Sequence, residues 1–203
     1  MSIPTHLYPQ AIERIDAVNA QDPNVATFAG RTYPAELIYS MRMTAWLDRI
    51  EPAPSEPLRL AVRCQHLRRW DIPRSQYAMT RAGYYQWRTK LGAYHAEQAA
   101  EILRSVGYDE AFIARAQSLI RKERLKTDVE AQTLEDVACL VFLENDYVDF
   151  ARKHEEQKVI DILRKTWRKM SERGHALALE LATELPEAER KLIERALTPE
   201  EKQ

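Results

Sequence analysis

TRAGYYQWRTKLGAYHAEQAAEILRSVG, residues 80–107, is the stretch on which the fold turns. Thr80 offers a hydroxyl for a helix N-cap, no proline follows, and Gly107 supplies a left-handed stop. Between these ends, Leu91, His95, Ala99 and Ile102 recur at helical spacing. One long α-helix from Thr80 to Val106 is therefore predicted. Towards the C-terminus, Asp109 caps a helix that should end near Leu125. Thr133 and Asp136 have the spacing of a capping box, and they open LEDVACLVFLENDYVDF, residues 134–150. That segment is apolar nearly all round, so it should be buried. Ile160 to Met170 forms another helix, and Pro186 sets off the charged segment PEAERKLIERAL as a surface helix or tail.

Towards the N-terminus, Trp70 to Met79 holds Pro73 and lacks helical periodicity, so it is a loop. A helix spans Leu58 to about Arg69 after Pro57. Another follows Pro34, carries Leu37, Ile38, Met41, Ala45 and Trp46, and ends before Pro52. The first runs from Leu7 to about Ala20 and stops at Asp22-Pro23-Asn24. No stretch carries a strand signature. The expected fold class is all-α, a single compact bundle of seven or eight helices, with residues 1–185 as one helical domain and 186–203 as a charged C-terminal helix or tail.

Composition agrees with this outline and narrows the function. The chain has 203 residues, only five of them glycine, and its 30 basic and 31 acidic side chains leave a net charge of -1. A protein that lives on nucleic acid needs a basic excess to neutralise phosphates, so no nucleic-acid partner is expected. The opening residues lack a signal-peptide pattern, and the most apolar window, Val137 to Leu143, is too short to cross a bilayer. Cys64 and Cys139 stand in apolar helical context without metal-site spacing. They suit a reducing compartment, and a cytoplasmic protein without a membrane partner is expected. Phosphate-binding glycine loops, Cys-x-x-Cys, His-Glu-x-x-His and Gly-x-Ser-x-Gly are all absent.

Chemistry is sought where polar groups fall on faces that should be buried. His95 shares its stripe with Leu91, Ala99 and Ile102. His66 follows Val62 by four within QHLRRW, beside Arg68 and Arg69. Glu123 lies in the basic run RKERLK with Lys122 and Arg124, and Glu144 lies within the most apolar helix. Each has a plain structural alternative: a hydrogen-bonded core histidine, a solvated helix end, or a buried carboxylate paired with arginine.

The stretch RLAVRCQHLRRWDIPRSQYAMTRAGYYQWRTKLGAYHAEQAAEILRSVGYDE, followed by LIRKERLK, LEDVACLVFLE and DILRKTWRKMS, resembles the family known as domain of unknown function 4202. That family supplies no activity. More distantly, the order of signals is similar to the HD superfamily of helical metal-dependent phosphohydrolases, which implies an HD-domain-like bundle. By that resemblance the early metal-binding His falls on Tyr39, the His-Asp pair on His66-Leu67, further ligands on His95 and Glu123, and the late Asp on Ala138 or Asp136. Leucine cannot ligate a metal and phenol replaces imidazole poorly, so the usual metal site is not expected.

Three functions follow. In the first, a central pocket without a cofactor binds, and extends to hydrolysing, a small phosphorylated or anionic metabolite. His66, His95 and Glu123 would be its catalytic residues, and Arg42, Arg68, Arg69, Lys122 and Arg124 would hold the ligand. In the second, a divalent metal sits on His66, His95, Glu123 and Asp136. In the third, the bundle is a non-catalytic interaction scaffold whose basic segments RKERLK and RKTWRK meet an acidic partner.

Overall fold

Where each helix begins is set by a few side chains. In the computed structural model, which describes residues 6–198, Thr80 Oγ1 accepts the Gly83 N–H at 3.1 Å and Asp109 accepts that of Phe112 at 2.8 Å. Both are the caps expected from sequence. Ser55 and Ser171 do the same for Leu58 and Gly174. Gly107 closes the long helix at φ +112°, a backbone state that L side chains rarely adopt.

Among the described residues the protein is all-α apart from one hairpin. Among the described residues the order is α1 (Leu7–Asn19), β1 (Val25–Phe28), β2 (Arg31–Pro34), α2 (Ala35–Ile50), α3 (Glu56–Arg63), α4 (Arg81–Val106) and α5 (Glu110–Ile120). It continues with α6 (Val129–Asn145), α7 (Tyr147–Arg152), α8 (Glu156–Trp167), α9 (Glu172–Thr183) and α10 (Glu187–Leu197). The packing resolves into two compact units that meet in sequence between Leu134 and Glu135. In the first, α1 packs on α2, α3 and α4, while α5 covers α3 and α4. Ile15, Met43, Leu47, Leu60, Leu103 and Leu119 make its core. In the second, α8 packs on α7 and α10, and α10 on α9. There Tyr147 is fully buried and its hydroxyl donates to the Glu189 carbonyl at 2.8 Å.

Several expectations are corrected. A hairpin exists: β1 and β2 pair antiparallel, with Ala29 and Gly30 both at positive φ between them. Its residues are mostly exposed, so no buried face imposed the alternation that announces a strand. The third helix starts earlier and ends sooner than predicted, because Ser55 caps it and Pro57 fits its first turn. The helix after Asp109 ends at Ile120 rather than near Leu125; Lys122 and Arg124 then take left-handed φ values of 55°. α6 begins at Val129, ahead of Thr133, since Asp128 accepts the N–H groups of Glu130 and Ala131. Glu144 is exposed rather than buried, and accepts a hydrogen bond from Asn145.

Candidate functional site

Three helices and two turns of the first unit build one polar hollow. α2 starts where it does because Asp22, itself buried, accepts the Glu36 N–H at 2.9 Å. That anchor sets Glu36 and, one turn on, Tyr39 against the turn that follows α3. In that turn Arg68 adopts left-handed φ 56°, and its neighbours His66 and Leu67 face α4. His66 donates from Nδ1 to Glu36 Oε2 at 3.1 Å, and its ring lies flat on Tyr39, centroids 3.9 Å apart and 8° from parallel. From α4, His95 donates from Nδ1 to the Leu67 carbonyl at 2.7 Å. The two imidazole centroids are 6.0 Å apart.

These bonds fix the tautomers. A carbonyl or carboxylate only accepts, so each Nδ1 must carry the proton. In the neutral ring Nε2 is then a bare acceptor. Burial above all lowers both pKa values; Arg69 and Arg88 act in the same direction on each. His95 is held at about 4, and His66 well below the usual imidazole range. Both are uncharged at neutral pH.

The hollow has a volume of about 70 Å³ and is lined by Gln65, His66, Arg88, Leu91, Gly92, His95, Ile120, Arg121 and Lys122. No carboxylate stands in that wall. Arg88 is exposed and forms no ion pair among the described residues. Gln65 is only 6% exposed, and its Oε1 has no hydrogen-bond partner. Behind the wall, Arg69 lies over the Trp87 ring at 4.9 Å and approaches Glu36 at 3.7 Å, with a buried Nη1 left without a partner. The hollow is therefore cationic where it meets solvent and offers imidazole acceptors inside.

A model of the family described as Domain of unknown function (DUF4202) matches residues 9–193, nearly the whole chain. The chain belongs to the DUF4202 family. No curated protein and no solved structure matches it at a significant level.

Membership in DUF4202 leaves the site to be judged by its geometry, which sorts the sequence candidates clearly. His66, His95 and Lys122 share the hollow, whereas Arg69 is not in its wall and approaches Glu36, the partner of His66. Arg68 turns away to Asp71, whose Oδ2 it shares with the Tyr94 hydroxyl. Arg42 lies over Phe28 in an apolar groove with Ile38 and Met41. Arg124 is exposed. Glu123 is also exposed and paired with Arg121 at 2.7 Å, a contact that lowers its pKa. Asp136 belongs to the second unit, where its carboxylate accepts the Ser171 N–H at 2.8 Å and the Ser171 hydroxyl at 2.5 Å.

Of the quartet His66, His95, Glu123 and Asp136, the three that belong to the first unit do not form a group suited to a divalent metal. The quartet's two carboxylates are committed to Arg121 and Ser171. Among the described residues no three His, Cys, Asp or Glu side chains form a group suited to a metal. Sequence reasoning missed Glu36, Gln65, Arg88, Gly92 and Arg121. Arg88, Gly92 and His95 lie at i, i+4 and i+7 on α4, so that stripe was legible. Glu36 was not, because only tertiary folding brings it to His66 across thirty positions of chain.

Proposed function

We propose that this protein binds a small phosphorylated or otherwise anionic metabolite in the hollow between α4, the turn after α3 and the turn after α5. The observation that carries this is the meeting of Arg88 and Lys122 with two neutral imidazoles in one wall, where the one nearby carboxylate, Glu123, is already paired with Arg121. Guanidinium and ammonium donors suit phosphate and carboxylate oxygens. Roughly 10–15 Å³ of such a cavity holds one water, so the hollow of about 70 Å³ admits a few heavy atoms of a metabolite beside the cations at its mouth.

Hydrolysis is the extension of the same proposal. A neutral Nε2 that the ligand leaves open could take the proton of a water attacking the ester phosphorus, and return it to the alcohol that leaves as the phosphorus–oxygen bond breaks. An anion in the hollow would favour the imidazolium, raising a pKa that stands at about 4 in the free protein. The contact of Tyr39 with His66 supports an HD-like, phosphohydrolase-like arrangement with an altered site, since Tyr39 occupies the early ligand position of that similarity. No described helix is long and apolar enough to cross a membrane. Cys64 and Cys139 are buried and form no disulfide among the described residues, which supports a reducing, cytoplasmic location.

Calorimetric titration with inorganic phosphate tests the binding. Saturable binding is expected, weakened tenfold or more by Arg88→Ala combined with Lys122→Ala. Wild-type protein that binds neither phosphate nor a simple carboxylate overturns the proposal.

A further inference from the structure

The wall contributed by α4 has an order that narrows the ligand. Arg88, Gly92 and His95 succeed one another at about one turn each, so a guanidinium, an open glycine and an imidazole lie along some 10 Å of helix, at about 1.5 Å per residue. Glycine is a poor residue for the interior of a 26-residue helix. At Gly92 it is not required by packing, because a Cβ placed there would meet no heavy atom within 4 Å. The protein thus leaves space at Gly92 that it does not fill itself.

Beyond that space the hollow presents acceptors. Nδ1 of each imidazole is spent on Glu36 or on the Leu67 carbonyl, so Nε2 of each can only accept while the rings are neutral. Gln65 adds a buried Oε1 without a partner. A fully ionised carboxylate or phosphate group has no hydrogen to give these atoms, whereas an alcohol does.

We propose that the ligand carries a hydroxyl group as well as its anion, with the anion on Arg88, the carbon skeleton crossing α4 at Gly92, and the hydroxyl donating to the imidazoles. The ligand class is a short hydroxylated phosphate ester or hydroxy acid. This rests on the anion-binding function proposed above. A ligand lacking the hydroxyl would displace water from buried acceptors without replacing its hydrogen bonds, which disfavours it strongly.

The experiment is isothermal calorimetry on the full chain with glycerol 3-phosphate, propyl phosphate, inorganic phosphate and glycerol, and with glycerate against propionate for a carboxylate head. Glycerol 3-phosphate should bind at least tenfold more tightly than propyl phosphate, or glycerate than propionate if the head is a carboxylate. Gly92→Ala should weaken the favoured hydroxylated probe tenfold or more while leaving inorganic phosphate within threefold. Equal binding of the hydroxylated and plain probes overturns the hydroxyl and leaves the anion site standing. Unchanged affinity in Gly92→Ala, equal loss of inorganic phosphate, or a variant that fails to fold overturns the path across Gly92. If no anion binds the wild-type protein, the anion site itself fails, and this inference with it.

Discussion

Gly174→Ala should destabilise the protein even though alanine is the better helix former. Gly174 is the third residue of α9, and its N–H donates to the capping Ser171 hydroxyl at 3.1 Å. A Cβ there would stand 2.8 Å from both Cγ and Oδ1 of Asp136 and 3.2 Å from Met170 Cε. Ordinary contact begins several tenths of an ångström further out, so the Asp136 carboxylate must move. It is 2% exposed and holds the start of α9 through the Ser171 N–H and hydroxyl. Hydrogen bonds to a charged group are worth roughly 1.5–3 kcal/mol each, and weakening both outweighs a helix-propensity gain of at most about 1 kcal/mol. The expected net loss is about 1–3 kcal/mol, read as a lower urea midpoint by circular dichroism. The cause is checked in the Asp136→Ala background, where the added methyl has no carboxylate to meet and should be neutral or stabilising. An undiminished midpoint for Gly174→Ala alone, or the same loss in both backgrounds, would refute the reasoning.

Gly92→Ala should do the opposite to stability. With nothing within 4 Å of the new methyl, the helix gains roughly 0.5–1 kcal/mol, a Tm rise of about 2 °C by calorimetry; a fall would show that the hollow has no room there. Acid should weaken the fold through His95, whose pKa is about 4 folded against an ordinary 6.5. As pH drops, the unfolded chain takes the proton first. Stability is therefore full above about pH 6.5 and declines towards pH 4, by on the order of 3 kcal/mol. His66 shifts in the same direction, so urea midpoints should drop over this window, and His95→Gln should flatten the decline; an equally steep decline in that variant would exclude His95 as its source. Arg115→Lys should cost roughly 1–2 kcal/mol, because the guanidinium reaches Asp128 and Glu130 at once and an ammonium cannot reproduce that fork; an unchanged urea midpoint would contradict this. Tyr147→Phe should cost about 1–2 kcal/mol by leaving the Glu189 carbonyl without the buried hydroxyl's bond, and a variant as stable as wild type would show that bond to be idle.

The long helix α4, its Thr80 cap and its Gly107 stop were legible because each depends on residues a few positions apart. The same holds for the Asp109 cap and for the break at Pro186. The Val25–Pro34 hairpin escaped because its side chains are exposed and carry no burial pattern. The start of α6 was misplaced because Asp128, not Thr133, serves the free N–H groups. Glu144 looked buried because its neighbours are apolar, yet it lies on the exposed edge of that helix.

For the site, the chain by itself determined which side chains ride together on one helix, since the 3.6-residue period fixes Arg88, Gly92 and His95 on one stripe of α4. It could not determine what those side chains meet. Only tertiary packing brought His66 between Tyr39 and His95, aimed its Nδ1–H at Glu36, and turned Arg68, Glu123 and Asp136 to other partners. The physical reason is reach: helical periodicity correlates neighbours within a few turns. A hydrogen bond closed across thirty residues depends on how whole helices pack, and no local spacing records that.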